Sequence, residues 1–243
     1  MENRSKIGWE SFQEFIEVAN KNCNWLVLRN FEYLPNNFFG NDKDVDILCE
    51  NLEYFTKTMK LKKRSWGIGA YETIIDNQVV PFDVRFLGDG YYDKLWQYKM
   101  LKNKTFTSDG VPRMNDEDYF YSLIYHSKIQ KYEVKEVYKT RLNNLAISLD
   151  ISSYNICSID DDRYVSKLLS DFMRKNYYNY TTPMDINVPK NIAFFNLLDS
   201  YVKNGVTFKI PRKIKFLQYL PNGIFKIIPR SIKDTIKKVL KWD

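Results

Sequence analysis

The chain has 243 residues, of which 44% are hydrophobic and 28% are charged, as in globular rather than disordered proteins. Its three cysteines (Cys23, Cys49 and Cys157) and single histidine argue against a disulfide scaffold or a Cys/His zinc site, and they favour a reducing, cytoplasmic compartment. The formal charge of +7 comes from the C-terminal end, because residues 203–243 hold 11 Lys or Arg and two Asp, whereas residues 1–202 carry a net −2. No run of 18 apolar residues occurs, so no membrane-spanning helix is expected.

The first half of the chain is predicted to mix helices and strands. Helical spacing of Trp9, Phe12, Ile16 and Ala19 predicts an amphipathic helix over residues 8–21. The elements predicted after it are strands at 25–29 and 45–49, a helix at 52–60, and a hairpin of 70–75 and 79–86. This order indicates a small sheet flanked by helices.

The second half is predicted to be mostly helical, with Asn115 and Asp116 able to cap the first helix. The predicted helices cover residues 117–131, about 134–148, about 161–176 and 191–202. We therefore predict an α+β protein in which a small mixed sheet is followed by a helical half. Its predicted parts are a core at 1–110, a helical domain at 111–202 and a basic amphipathic tail at 203–243.

Three carboxylates carry the chemistry that the sequence suggests. Asp44 and Asp46 occupy alternate positions and point to one face, whereas Val45 and Ile47 point to the other. Two carboxylates so close together repel each other and need a compensating positive charge, which Mg²⁺ or Mn²⁺ can supply through oxygen ligands. If the strand at 79–86 lies beside the strand at 45–49, Asp83 joins them in a metal-binding, catalytic cluster.

Four residues near these acids are candidates for binding phosphate, namely Arg29, Asn30, Lys43 and Arg85. Arg85 shares a face with Asp83, and its guanidinium group matches phosphate oxygens. Two alternatives stay open, because Arg29 and Arg85 can equally serve as structural partners of the acids, and Lys43 can be a solvated loop charge. The lone His126 is expected to be a packing or hydrogen-bonding residue rather than a catalyst.

An apolar strand, a loop, the motif Asp44-x-Asp46 with Ile47 and Leu48, and a later Asp83 on a strand resemble the nucleotidyltransferase superfamily. The resemblance covers residues from about 20 to 90. Where that superfamily usually has Gly-Ser after the first strand, this chain has Leu28-Arg29-Asn30. Bacterial phosphocholine and alditol-phosphate transferases, which use CDP-linked donors, also carry this motif.

The resemblance implies an Mg²⁺-dependent enzyme in which Asp44 and Asp46 bind the metal and Asp83 is a third ligand or the general base. Such an enzyme would move a nucleotidyl, phospho-alditol or phosphocholine group from a nucleotide-linked donor to a hydroxyl acceptor, in bacterial cell-surface glycan or glycolipid assembly. Two alternatives are a nucleotidyltransferase acting on RNA, a protein or a small molecule, and a degenerate binding protein at a membrane surface.

The basic tail favours an anionic partner. Ile232, Ile236, Leu240 and Trp242 form an apolar face flanked by lysines, a pattern typical of a helix lying on the anionic inner face of the plasma membrane. Packing of this face on the rest of the protein is the equal alternative. Nucleic acid is the third, because no motif that would place the tail in a groove is present.

Overall fold

The structure is a computed structural model, and it describes residues 8–36, 38, 44–64 and 68–206. Several predicted residues lie outside the described residues, namely Lys43, Ile232, Ile236, Leu240 and Trp242. Within the described ranges, the helices are too short or too polar to cross a membrane. The predicted α+β class is confirmed, because one mixed sheet and a set of helices make up the fold.

In the described part of the chain, seven strands form a single sheet. They are β1 (Trp25–Val27), β2 (Val45–Cys49), β3 (Lys62–Lys63), β4 (Ala70–Ile75), β5 (Gln78–Phe86), β6 (Thr105–Phe106) and β7 (Pro112–Arg113). Their order is β3-β4-β5-β2-β1-β7-β6. The sheet is mixed because β2 runs parallel to β5 and antiparallel to β1. The predicted hairpin is confirmed as β4 and β5, and its turn residues Asp76 and Asn77 both have positive φ.

Helices precede, interrupt and follow the sheet. They are α1 (Phe12–Asn22), α2 (Leu52–Thr58), α3 (Lys94–Lys102), α4 (Asp116–Lys128), α5 (Glu136–Ser148), α6 (Asp162–Lys175), α7 (Ile192–Leu197) and α8 (Ser200–Lys203). Capping side chains fix several of their starts, as Ser11 does for α1. The predicted cap at Asn115 is confirmed, since its side chain accepts a hydrogen bond from the Asp118 amide.

Some predicted boundaries were wrong. The first helix begins at Phe12 rather than at residue 8, because Trp9 pairs with Ile75 beside the sheet and its indole donates to the Met59 carbonyl oxygen. The helix expected over 191–202 is divided into α7 and α8, because the backbone is extended at Leu198. Neither α3 nor the two-residue strands were predicted, and the strands are too short to show a hydrophobic period.

Trp96 of α3 joins the sheet-bearing half to the helical half. Its buried ring stacks on Tyr178, with ring centroids 5.3 Å apart and an interplanar angle of 9°. It meets Tyr125 edge-on at 5.8 Å, and its Nε1 donates to Asp118 at 2.8 Å. The apolar core therefore continues across residue 110, and the division of the chain at that residue stays a prediction.

We expect Trp96→Ala to lower the free energy of unfolding by about 3–5 kcal/mol, because it removes a large buried ring and leaves a cavity. Chemical denaturation followed by circular dichroism measures the change, and the shared core should give one transition. Tyr98→Ala is the matched control in the same helix, since Tyr98 is 47% exposed and its removal should change stability by about 0.5 kcal/mol or less. A loss in Trp96→Ala no larger than in the control contradicts the shared core.

Candidate functional site

Asp46 and Asp83 lie side by side in the sheet. Their strands, β2 and β5, are parallel, and the register pairs Asp46 directly with Asp83. Because neighbouring strands are about 4.8 Å apart and paired residues point to the same face, the two carboxylates share one face of the sheet. The predicted adjacency of these strands is therefore confirmed. Asp44 comes just before β2 and lines the same cleft.

Arg29 binds Asp46 from the loop after β1. Its Nη2 donates to Asp46 Oδ1 at 2.6 Å, and its Nε donates to Oδ2 at 3.2 Å. The arginine is only 4% exposed, so a full positive charge is held against the sheet. Its Nη1 is buried and has no hydrogen-bond partner among the described residues. Arg29 is thus paired with Asp46, as a structural partner of that acid would be. A role for Arg29 in binding phosphate stays a prediction.

Arg85 connects Asp83 to a distant part of the chain. Its Nη2 donates to Asp83 Oδ2 at 2.7 Å, and its Nη1 donates to Asp185 Oδ2 at 2.9 Å. Asp185 is buried and lies in the segment between α6 and α7. Each guanidinium group thus neutralises at least one carboxylate, as buried charges require.

Gly69 gives Asp83 the space it needs. The φ of Gly69 is +100°, a conformation that other residues rarely adopt. A Cβ atom at this position would lie 2.7 Å from Asp83 Oδ1 and 3.0 Å from the Val84 carbonyl oxygen. Glycine is therefore required where the chain enters β4, and it keeps one oxygen of Asp83 clear of a neighbouring side chain.

The carboxylates and the two arginines form the floor of a cleft of about 380 Å³, namely Asp44, Asp46, Asp83, Arg29 and Arg85. One wall is the connection between α4 and α5, which contributes Gln130, Lys131 and Lys135. The other is the segment 185–189. A cleft of this volume accommodates a small organic ligand.

A hydrogen-bonded group packs under the arginines. Tyr91 lies beneath Arg85, whose Cζ is 4.4 Å from the ring centroid. Burial raises the pKa of Tyr91 to about 12, so its hydroxyl stays protonated. Gln130 donates from Nε2 to the Tyr91 carbonyl oxygen at 2.8 Å, which turns its Oε1 toward His126 Nδ1 at 3.3 Å. His126 Nδ1 also lies 3.2 Å from the Tyr91 hydroxyl, so the tautomer of the imidazole decides whether Nδ1 donates to Oε1 or accepts from the hydroxyl.

Charge crowding alters the titration of Asp46. Burial raises its pKa, and although Arg29 lowers it, the carboxylates of Asp83 and Asp44 raise it further, to about 6. The charges of Asp83 and Asp44 therefore both act on Asp46. Repulsion between neighbouring carboxylates favours the binding of a cation or a proton, because either one reduces the negative charge.

The carboxylates do not form a ready-made three-ligand metal site. Among the described residues, no group of three His, Cys, Asp or Glu side chains is placed to hold a metal ion. Arg29 and Arg85 already bind oxygens of Asp46 and Asp83. The donor type nevertheless suits Mg²⁺, which is usually bound by one or two carboxylates together with substrate phosphates.

The structure brings together every predicted site residue that it describes. Asn30 lines the cleft with left-handed backbone, and its side-chain oxygen accepts from Arg141 at 2.7 Å. The cleft also contains residues outside the predicted set, among them Tyr91, His126, Gln130, Lys131, Glu133 and Asp185. They lie far along the chain from the Asp44-x-Asp46 motif, and no local spacing links them to it.

The buried imidazole predicts a pH dependence of stability. Burial, followed by the charges of Arg29 and Lys131, holds the pKa of His126 well below its usual value of 6.5, so the folded protein keeps it neutral. The unfolded chain binds the proton below about pH 6.5, so this contribution to stability is complete above that pH and is lost below it. Between pH 7 and pH 5, we expect wild type to lose about 2 kcal/mol more than His126→Gln in urea unfolding. Parallel pH profiles for the two proteins would contradict a neutral, buried His126.

No protein-family model, curated protein or solved structure matches this chain. The chemistry of the cleft must therefore be inferred from its own residues.

Proposed function

We propose that this chain is an Mg²⁺-dependent transferase that moves a nucleotidyl, phospho-alditol or phosphocholine group from a nucleotide-linked donor to a hydroxyl acceptor. One observation carries the proposal: Asp46 and Asp83 are paired across two parallel strands, beside two buried arginines, in a cleft. Carboxylates and guanidinium groups in one cleft match a substrate that combines a metal ion with phosphate.

Asp44 and Asp46 are the residues that would hold the metal, because both are hard oxygen donors and face the cleft. A carboxylate has about four acceptor positions, so Asp46 can keep Arg29 and still offer a lone pair. When bound, Mg²⁺ would polarise the donor phosphoryl group and neutralise part of its charge.

The arginines would hold the phosphate oxygens. The buried Nη1 of Arg29 and Nε of Arg85 have no hydrogen-bond partner among the described residues. These two atoms are closed to solvent, but both guanidinium groups line the cleft and would place positive charge beside a bound phosphate. Their side chains are already fixed by Asp46, Asp83 and Asp185, so little ordering is needed on binding.

The acceptor hydroxyl oxygen would attack the donor phosphorus in line. A new P–O bond forms, the P–O bond to the leaving phosphate of the nucleotide breaks, and the hydroxyl proton passes to Asp83. Asp83 suits this role because Arg85 occupies its Oδ2, whereas no described residue donates a hydrogen bond to its Oδ1. The products are the phosphodiester and either CMP or pyrophosphate, according to the donor.

The acceptor class follows from the resemblance and from the basic tail. A hydroxyl of a glycan or glycolipid at the inner face of the plasma membrane suits a chain whose residues 203–243 carry a net charge of +9, whereas residues 1–202 carry a net −2. RNA, a protein or a small molecule is the alternative acceptor for the same reaction.

The pairing of Arg29 with Asp46 and of Arg85 with Asp83 favours a second function, namely metal-free binding of phosphate ligands. In that case the arginines neutralise the carboxylates permanently, and no metal enters. Titration calorimetry separates the two functions. The transferase predicts heat with CTP that requires Mn²⁺ or Mg²⁺, whereas metal-free binding predicts the same heat in EDTA.

We expect Asp83→Asn and Asp44→Asn to lower the turnover of the donor by on the order of 100-fold or more, because each removes several kcal/mol of transition-state stabilisation. Release of CMP or pyrophosphate from CDP-choline, CDP-ribitol, CDP-glycerol and the nucleoside triphosphates, with Mg²⁺ present, measures this. Asp83→Asn should fold, because Arg85 keeps Asp185 as a partner.

Asp109→Asn is the matched control, since this exposed carboxylate lies in the loop between β6 and β7. Its turnover should equal that of wild type. Wild-type turnover that persists in Asp44→Asn and Asp83→Asn removes the basis of the proposal.

A further inference from the structure

One side of α3 exposes apolar and basic side chains together. Leu95 is 42% exposed and Tyr98 is 47% exposed, although the opposite side of the helix is buried in the core. Lys99 and Lys102 share their side, because positions i, i+3, i+4 and i+7 of a helix are neighbours. Lys102 Nζ lies 6.0 Å from the Tyr98 ring centroid, and the exposed Lys94 precedes Leu95. These five residues are called the α3 face.

The positive charge of the α3 face is not neutralised by ion pairs. Among the described residues, no carboxylate forms an ion pair with any of its three lysines. Lysines of other helices are paired, since Lys128, Lys139 and Lys167 each bind an aspartate. The α3 face therefore differs from the other helix surfaces in leaving its charge to solvent.

The carboxylates beside this helix are mostly turned to other partners. Three of them act on Tyr178, the buried ring next to α3. Asp93 caps the helix by accepting from the Leu95 amide at 2.7 Å, and Asp118 accepts from the indole of the same helix. Glu117 is exposed. The lysines thus outnumber the exposed carboxylate here, and the excess of positive charge favours an anionic partner.

The exposed apolar side chains decide which anionic partner fits. Tyrosine and an aliphatic residue flanked by lysines suit the surface of an anionic bilayer, where apolar groups enter the interface and the charges meet headgroups. Single-stranded nucleic acid stacks on aromatic rings and gains less from the aliphatic Leu95. A second copy of the α3 face, or the basic tail, would bring lysine against lysine.

The basic tail begins close to the α3 face. The Asn179 amide donates to Asp93 Oδ2 at 2.9 Å, and the Thr182 amide donates to the carbonyl oxygen of Val206, the last described residue, at 3.3 Å. Positions 179 and 182 are at most about 10 Å apart along the chain. Residues 203–243 carry a net +9, and their sequence predicts a membrane contact of its own. Two contacts joined by one chain bind a surface more tightly than either does alone.

We propose that the α3 face is a docking surface for an anionic lipid bilayer. Leu95 and Tyr98 would enter the interface, and the three lysines would lie among the headgroups. Binding of a bilayer by this face does not require the transferase reaction, because none of its residues lines the cleft.

Co-sedimentation of the whole chain with vesicles of phosphatidylglycerol and phosphatidylcholine tests this surface. We expect Leu95→Gln/Tyr98→Gln and Lys94→Gln/Lys102→Gln each to weaken binding on the order of 10-fold, because one removes the inserted groups and the other two charges. Vesicles of phosphatidylcholine alone should bind wild type weakly. Glutamine suits an exposed helical position, so both variants should melt as wild type does and turn over the donor equally.

Two control variants remove the same kinds of side chain from other surfaces. Val137→Gln/Ile147→Gln takes two exposed apolar side chains from α5, and Lys62→Gln/Lys63→Gln takes two exposed lysines from the edge strand β3. Each control should bind the anionic vesicles within about 2-fold of wild type. Losses in the controls as large as those in the α3 variants would overturn the proposal, since composition rather than one face would then explain the binding.

A single-stranded oligonucleotide distinguishes the other anionic partner. Its binding should be the same in wild type and in both α3 variants. Variants that lose affinity for the oligonucleotide and keep their affinity for vesicles would assign the face to nucleic acid and contradict the proposal. Unchanged vesicle binding in both α3 variants would also contradict it, because the tail alone would then hold the membrane. A chain that shows the vesicle losses but no donor turnover would support the docking surface and contradict the transferase.

Discussion

The parallel pairing of β2 with β5 is the constraint on which the site depends. It puts two carboxylates about one strand spacing apart on a partly buried face, where their repulsion is poorly screened. Both can ionise only if positive charge is brought to the same place. Arg29 and Arg85 meet that need, and Tyr91 and Asp185 in turn hold Arg85. The register between β2 and β5 therefore determines which charged groups meet at the floor of the cleft.

The sequence was sufficient to predict this floor because strand alternation is a local property. The Asp44-x-Asp46 spacing and the alternation around Asp83 each fix which side chains share a face. The order of helices and strands was likewise sufficient for the fold class. Boundaries were less accurate where a tertiary contact decided them, as at Trp9, whose pairing with Ile75 takes it out of the helix.

The walls of the cleft could not be predicted, because they depend on packing between distant segments. Asp185 is one hundred residues from Arg85, and no periodicity connects the two. Lys131 and Lys135 fall on segments predicted to be helical, where lysine is ordinarily exposed to solvent. Only the turn between α4 and α5 directs them to the site. Side chains on such connections carry no sequence signal of the surface they will face.

The ion pair between Arg85 and Asp185 has a consequence for how the protein matures on the ribosome. The sheet is complete once residue 113 has emerged, yet the second partner of Arg85 is made only some seventy residues later. Until Asp185 has been made, the strands under the cleft are paired, but Arg85 has only Asp83 as an ion-pair partner. Ligand binding should therefore appear late in translation, after the central strands have paired.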